Sequence, residues 1–146
     1  MAGRICSLTN LLIDESEFPR LSLVDLQRYA RHISLPSVGH AGQENISQSK
    51  VLVIGAGGLG SPVILYLAAA GVGKIGIIDD DNIELSNLQR QVIHAESKLG
   101  QSKAESAKNR VLELITSIMV EFLNHRLTPD NAKDFGLIDQ VVEKRS

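Results

Sequence analysis

Apolar positions change their spacing several times along this chain, and the changes divide it into elements. From Ser22 onward, Leu23, Leu26, Ala30 and Ile33 fall on one helical stripe. Ser22 is placed to cap that helix, and Asp25 stands where a capping box wants an acid. Leu35-Pro36 ends it, because the residue before a proline is biased away from helical backbone. After Gly39 and Gly42 a short helix is expected near Gln43–Ser47. Lys50–Ile54 is then a continuous run rich in β-branched residues, which predicts a parallel strand buried on both faces. Gly55-Ala56-Gly57-Gly58-Leu59-Gly60 follows directly. Ser61–Ala70 predicts a helix, with Pro62 tolerated in its first turn and Gly71 at its stop. Lys74–Ile78 predicts a second buried strand, ending in Asp79-Asp80-Asp81.

Strand, glycine turn, helix and strand within about thirty residues form a βαβ unit. Its strands should be parallel and its crossover right-handed. Beyond it, Asn82–Gln91 is polar and reads as a turn or short helix. Gln101–Ser117 predicts a long amphipathic helix with Ala104, Ala107, Val111, Leu114 and Ile115 inward. Ile118–Leu123 predicts a third strand, Asp130–Phe135 a short helix and Leu137–Val142 the start of a fourth strand. Residues 1–20 show no sustained period and read as an N-terminal tail. The expected class is α/β: a Rossmann-like parallel sheet with flanking helices, an N-terminal helical segment and an incomplete C-terminal half.

Composition narrows the chemistry. The chain's 146 residues suit one domain. A formal net charge of −2 leaves no footprint for nucleic acid, so any anion site must be built locally. The single cysteine, Cys6, excludes an internal disulfide and a cysteine-based zinc site, and a lone thiol fits a reducing cytoplasm. The longest apolar stretch, Leu59–Gly71, is interrupted by Ser61 and Pro62 and falls short of the ~20 residues a membrane span needs. A cytoplasmic protein without a membrane partner is the expectation.

Gly55, Gly57 and Gly60 satisfy G-x-G-x-x-G between a strand and a helix. In that arrangement the first glycine permits the tight turn, the second lets the backbone approach a phosphate, and the third lets helix and strand pack closely. Main-chain N–H groups and the helix dipole then favour a phosphate. Asp79, at the tip of the second strand, is placed to accept both ribose hydroxyls. Loop and acid together fit a nicotinamide or flavin dinucleotide as well as ATP.

Cations lie just past the acid. Arg90, in Ser86-Asn87-Leu88-Gln89-Arg90, can fork onto a phosphate, and Lys103 near the start of the long helix can face the same cleft. A nucleotidyl transfer needs such cations, because pyrophosphate leaves with growing charge. Arg28 reads as a solvated surface charge. Spacing alone leaves Arg31 and Lys103 open between surface charge and site residue, and Asn87 open between site and helix cap. His94 has no partner at metal-ligand spacing and reads as structural.

Arg28-Tyr29-Ala30-Arg31-His32, Leu35-Pro36, Gly42-Gln43, the Val51–Pro62 stretch, Tyr66–Gly73, Asp79-Asp80-Asp81 and Ser86–Gln91 together resemble the MoeB/ThiF adenylyltransferases, kin of the ubiquitin-activating enzymes. Gly100, Lys103 and Ser106-Ala107 continue the likeness, which runs from about Leu21 to Asn131. The Ser-Asn-Leu-Gln-Arg stretch at its offset from Asp79 carries the specificity. The eukaryotic branch that serves molybdopterin synthase and tRNA thiolation looks closest. Residues 21–146 are on this reading a partial ThiF-type nucleotide-binding domain.

The resemblance implies ATP-dependent adenylylation of the C-terminal glycine of a ubiquitin-like sulfur carrier. It implies that Gly55, Gly57 and Gly58 hold phosphate and that Asp79 holds the ribose. Ser86, Asn87, Leu88, Gln89 and Arg90 would line the triphosphate, and Lys103 would contact it. Arg31, Arg90 and Lys103 would be the catalytic residues, with Arg31 reaching into a partner subunit, hence a homodimer. Magnesium would accompany ATP, and zinc would belong only to a full-length form. The chain departs from the family near Ile138-Asp139-Gln140-Val141-Val142, where an Asp-Cys-Thr-Asp-Asn stretch with a magnesium-binding aspartate would stand. The two Cys-x-x-Cys pairs are absent as well. A truncated form of such an enzyme is therefore expected, with a non-catalytic nucleotide-binding or dimerising fragment as the alternative.

Overall fold

The computed structural model describes residues 21–128 and Ala132. The expected tail, the helix over 130–135 and the fourth strand over 137–142 lie outside the described residues, Ala132 apart. The elements run α1 (Leu23–Arg28), α2 (Ala30–Ile33), α3 (Gly39–Gln48), β1 (Lys50–Ile54), α4 (Gly60–Ala70), β2 (Lys74–Ile78), α5 (Lys103–Leu114) and β3 (Met119–Leu123). Two 3₁₀ turns, Leu85–Asn87 and Glu96–Lys98, lie between β2 and α5.

The three strands are parallel in the order β1-β2-β3. Lys50 stands opposite Lys74, and Ile75 opposite Val120. This is the expected α/β architecture. One face of the sheet, carrying Val53, Ile75, Ile77 and Val120, packs against Ile64 and Ala68 of α4 and Ala104, Ala107 and Val111 of α5. Burial of the valines and isoleucines stabilises by about 1.5–3 kcal/mol each, and of the alanines by less, so this layer holds the βαβ unit together. The opposite face has a smaller cluster, Ile78 with Leu52, Leu123 and Leu127.

Burial is uneven in a way the apolar runs did not predict. All five residues of β2 are buried. In β1 only Val53 is fully buried, and Ile54 is 56% exposed. The reason is position: β2 is flanked by two strands, whereas β1 is at the edge of the described sheet and its tip opens toward the glycine turn.

The N-terminal helical stripe is corrected as well. The Ser22–Asp25 capping box is present, with Asp25 N–H donating to Ser22 Oγ and Ser22 N–H donating to Asp25 Oδ2. The helix nevertheless breaks at Tyr29, and Leu23, expected inward, is 85% exposed. Tyr29 is the buried residue instead, and its ring lies against Gly71. A Cβ at Gly71 would fall 2.5 Å from Tyr29 Cζ, and Gly71 has φ +88°, so packing and backbone both require glycine there. Fully buried Gln43 completes the docking. Its Nε2 donates to the Ala70 carbonyl at the end of α4, and its Oε1 accepts from His32 Nδ1. One of the orphan carbonyls of a helix C-terminus is thereby satisfied.

Helix α3 is longer than expected, beginning at Gly39, and α5 is shorter than the expected 101–117 span. Ser102 caps α5, its Oγ accepting from Glu105 N–H. Ile115 is buried as expected but has extended backbone beyond the helix end, and Leu114 is 41% exposed.

Candidate functional site

The glycine turn is held rather than loose. Gly55 has φ +90°, a left-handed conformation open to glycine. Gly60 has no room for a side chain, since a Cβ would stand 1.8 Å from the Gly55 carbonyl oxygen. Between them Ala56 is fully buried and tied at both main-chain groups. Its N–H donates to Asp79 Oδ2 at 2.7 Å. Its carbonyl accepts from Ser61 Oγ at 3.2 Å and from His94 Nε2 at 3.0 Å.

A carbonyl only accepts, so His94 carries its proton on Nε2. Nδ1 of the neutral ring then accepts from Ser106 Oγ at 3.1 Å. Burial pushes the His94 imidazole below its ordinary value; the Ala56 bond opposes this, Lys103 reinforces it and Asp79 opposes it. A buried, neutral, fully bonded histidine fits the structural role expected of it. What spacing did not reveal is its target, the glycine turn, which lies 38 residues earlier in sequence.

Asp79 lies at the tip of β2. Its second oxygen, Oδ1, accepts from Asp81 N–H at 2.9 Å, so the carboxylate is oriented before any ligand arrives. Lys103, 7% exposed at its side chain, opens α5 and donates from Nζ to Asp81 Oδ2 at 2.8 Å. Its main-chain N–H also bonds the Asp81 carbonyl. The turn carrying Arg90 is built by a reciprocal cap, Glu84 N–H donating to Asn87 Oδ1. Arg90 Nη1 donates to the Ser86 carbonyl at 3.2 Å. The Arg90 stem crosses Gly58, its Cδ lying 3.3 Å from the place a Cβ would occupy there.

These pieces enclose an open cavity of about 440 Å³ lined by Gly55, Gly57, Asp79, Asp81, Asn82, Glu84, Asn87, Arg90, Gln91 and Lys103. Of the residues singled out in the sequence, Gly55, Gly57, Asp79, Asn87, Arg90 and Lys103 therefore share one space. Gly58, Ser86, Leu88 and Gln89 are not in its wall: Gly58 lies beneath Arg90, and Ser86 supports Arg90 through its carbonyl. Arg31 lies on α2, exposed and outside the wall. Asp81, Asn82, Glu84 and Gln91 line it without having been singled out for it.

Asp79, Asp80 and Asp81 bring carboxylate oxygens within 4.8 Å of one another. A divalent cation there would compete with bonds that two of these acids already make. Asp79 is committed to two N–H groups and Asp81 to the Lys103 ammonium. What the cavity can do is bind a sugar at Asp79 and an anion between Gly57, Arg90 and Lys103. No helix among the described residues is long and apolar enough to cross a membrane.

Known proteins resemble this chain in sequence and in fold. The chain is 54% identical over 117 residues to adenylyltransferase and sulfurtransferase MOCS3-1 of Zea mays, covering 80% of this chain and 25% of that protein. It is 51% identical over 124 residues to a probable adenylyltransferase/sulfurtransferase MoeZ of Mycobacterium tuberculosis, covering 84% and 32% respectively. The chain thus spans about a quarter to a third of the length of these relatives. Among solved structures it resembles PaaA, with TM-score 0.73 and 34% identity over 86% of this chain and 42% of that one. It also resembles the E. coli tRNA N6-threonylcarbamoyladenosine dehydratase TcdA in complex with AMP, with TM-score 0.73 and 28% identity, covering 78% and 46%. Residues 29–143 match the ThiF family. With the parallel sheet, the pinned glycine turn and the acid at the tip of β2, that match establishes that the chain belongs to the ThiF family.

Proposed function

We propose that this chain supplies the nucleotide-binding part of an ATP-dependent adenylyltransferase acting on the C-terminal glycine of a ubiquitin-like sulfur carrier. The observation that carries the reading is one cavity holding the glycine turn, the oriented Asp79 carboxylate, Arg90 and Lys103. The relatives named adenylyltransferase support the reaction class. Molybdenum-cofactor biosynthesis and tRNA thiolation are the settings the reading implies, in a cytoplasm to which the single cysteine is suited.

In this reaction the carrier's terminal carboxylate oxygen bonds to the α-phosphorus of ATP. The bond from that phosphorus to the bridging oxygen breaks, and its electrons leave with pyrophosphate. The product is an acyl-adenylate. Asp79 fixes the ribose and Gly57 admits the phosphate close to the main chain. Arg90 and Lys103 stabilise the charge that grows on the leaving group. Gly58 underlies the Arg90 stem, and Ser86 holds the guanidinium through its carbonyl. Arg31 is assigned to the cavity of a second copy, which makes the working unit a homodimer. Magnesium travels with the ATP phosphates, and the described acids are not assigned to it. Zinc is assigned only to a longer form.

ATP–pyrophosphate exchange, measured with a carrier ending in Gly-Gly, tests the reading. Carrier-dependent exchange is the expected outcome. ATP binding without exchange would leave the second reading, a non-catalytic nucleotide-binding fragment. No ATP binding would remove both.

A further inference from the structure

Gln91 lines the cavity and is 4% exposed. Its Nε2 stands 3.8 Å from the place a Cβ on Gly57 would occupy, against the second glycine of the turn. Its Oε1 is buried with no hydrogen-bond partner, the only such side-chain atom among the described residues. An unpaired buried acceptor costs stability, and an apolar residue of the same length would not incur that cost. A carboxamide kept at that cost in the wall of a ligand cavity points to a donor that arrives with the ligand. The last side-chain torsion of glutamine is broad, so the oxygen can turn toward the cavity without moving the main chain.

The kind of donor follows from the ligand. The phosphates of a nucleotide at neutral pH mainly accept hydrogen bonds, whereas the ribose hydroxyls and the adenine amino group donate, and of these the sugar is the part that Asp79 faces. Asp79, the sugar-facing acid, lines the same cavity, and its Oδ2 holds the N–H of Ala56, the neighbour of Gly57. We propose that Gln91 is a nucleotide-contacting residue whose Oε1 accepts a hydrogen bond from a ribose hydroxyl, sharing the sugar with Asp79. This rests on the nucleotide reading above and adds a ribose contact to it.

Gln91→Leu and Gln91→Met in the full 146-residue chain test it. Thermal unfolding without nucleotide and calorimetric titration with ATP, 2′-deoxy-ATP and 3′-deoxy-ATP are the two measurements. Without nucleotide the variants should melt at the same temperature as the parent or higher. They should bind ATP about tenfold more weakly, as loss of one hydrogen bond implies. Against one of the two deoxy-nucleotides, parent and variant should bind alike, because the interacting hydroxyl is already gone. Lower melting with unchanged ATP affinity would make Gln91 a packing residue and overturn the proposal. Equal weakening toward all three nucleotides would also overturn it, by placing the contact on phosphate or base. A parent chain that binds no ATP would instead sink the nucleotide reading itself.

Discussion

Lys103, buried at the start of α5, already holds Asp81: its ammonium lies 2.8 Å from Asp81 Oδ2. The cation expected to meet phosphate is therefore paired before phosphate arrives. Asp81 is 68% exposed, so the pair is only partly desolvated and is worth about 1 kcal/mol or less. An incoming polyanion can displace the aspartate at modest cost.

Asp81→Asn follows from this pairing. It removes a competing negative charge from the cavity and leaves Lys103 with a weaker partner. Triphosphate affinity should rise a few-fold, while the ligand-free protein loses about 1 kcal/mol of stability. Calorimetry and denaturant titration read the two effects; unchanged ATP affinity would show that Lys103 stays with its carboxylate in the bound state.

Gly57→Ala and Gly60→Ala should separate binding from folding. A Cβ at Gly57 meets nothing closer than Gln91 Nε2 at 3.8 Å, so that variant should fold with near-parental stability. It should bind ATP poorly, because the methyl group stands in the path of the phosphate. A Cβ at Gly60 would lie 1.8 Å from a main-chain oxygen, and that variant should lose more than about 4 kcal/mol or fail to fold. Normal ATP binding by Gly57→Ala would mean the phosphate lies elsewhere.

Arg90→Ala should weaken ATP by about 1.5–3 kcal/mol, the range of a hydrogen bond to a charged group, and adenosine hardly at all. Among the described residues the guanidinium is held by the exposed bond to the Ser86 carbonyl, so stability should change little. Equal losses for ATP and adenosine would contradict a phosphate role.

Asp79→Ala should harm every ribonucleotide and also free the Ala56 N–H, which is buried. A loss of about 1–3 kcal/mol in stability is expected from that orphaned donor. A folded variant with parental ATP affinity would take Asp79 out of the site.

The pH dependence runs through His94. Burial holds its folded-state value below the unfolded one, so the unfolded chain binds the extra proton more readily. The stability of the neutral ring is complete above the unfolded value of about 6.5 and is lost as pH falls toward the folded value. His94→Gln should flatten the decline in unfolding free energy on acidification from neutral pH. A variant that retains the parental slope would place the titrating group elsewhere.

The sequence by itself determined the βαβ unit. The β-branched runs at Lys50–Ile54 and Lys74–Ile78, the glycine turn and the Gly71 stop are local signals, and local backbone preferences persist in the fold. Sequence also named Asp79, Asn87, Arg90 and Lys103, partly from chemistry and partly from a family likeness, before any geometry brought them to one cavity. Tertiary structure alone decided which strand is buried, since β2 lies between two neighbours and β1 does not. It also decided that Tyr29 rather than Leu23 anchors the N-terminal helices, because Gly71 offers a ring-sized gap that no periodicity announces. The grip of His94 and Asp79 on Ala56 joins three distant stretches of chain. Such bonds depend on where the backbone passes in space, and one-dimensional spacing carries no record of that.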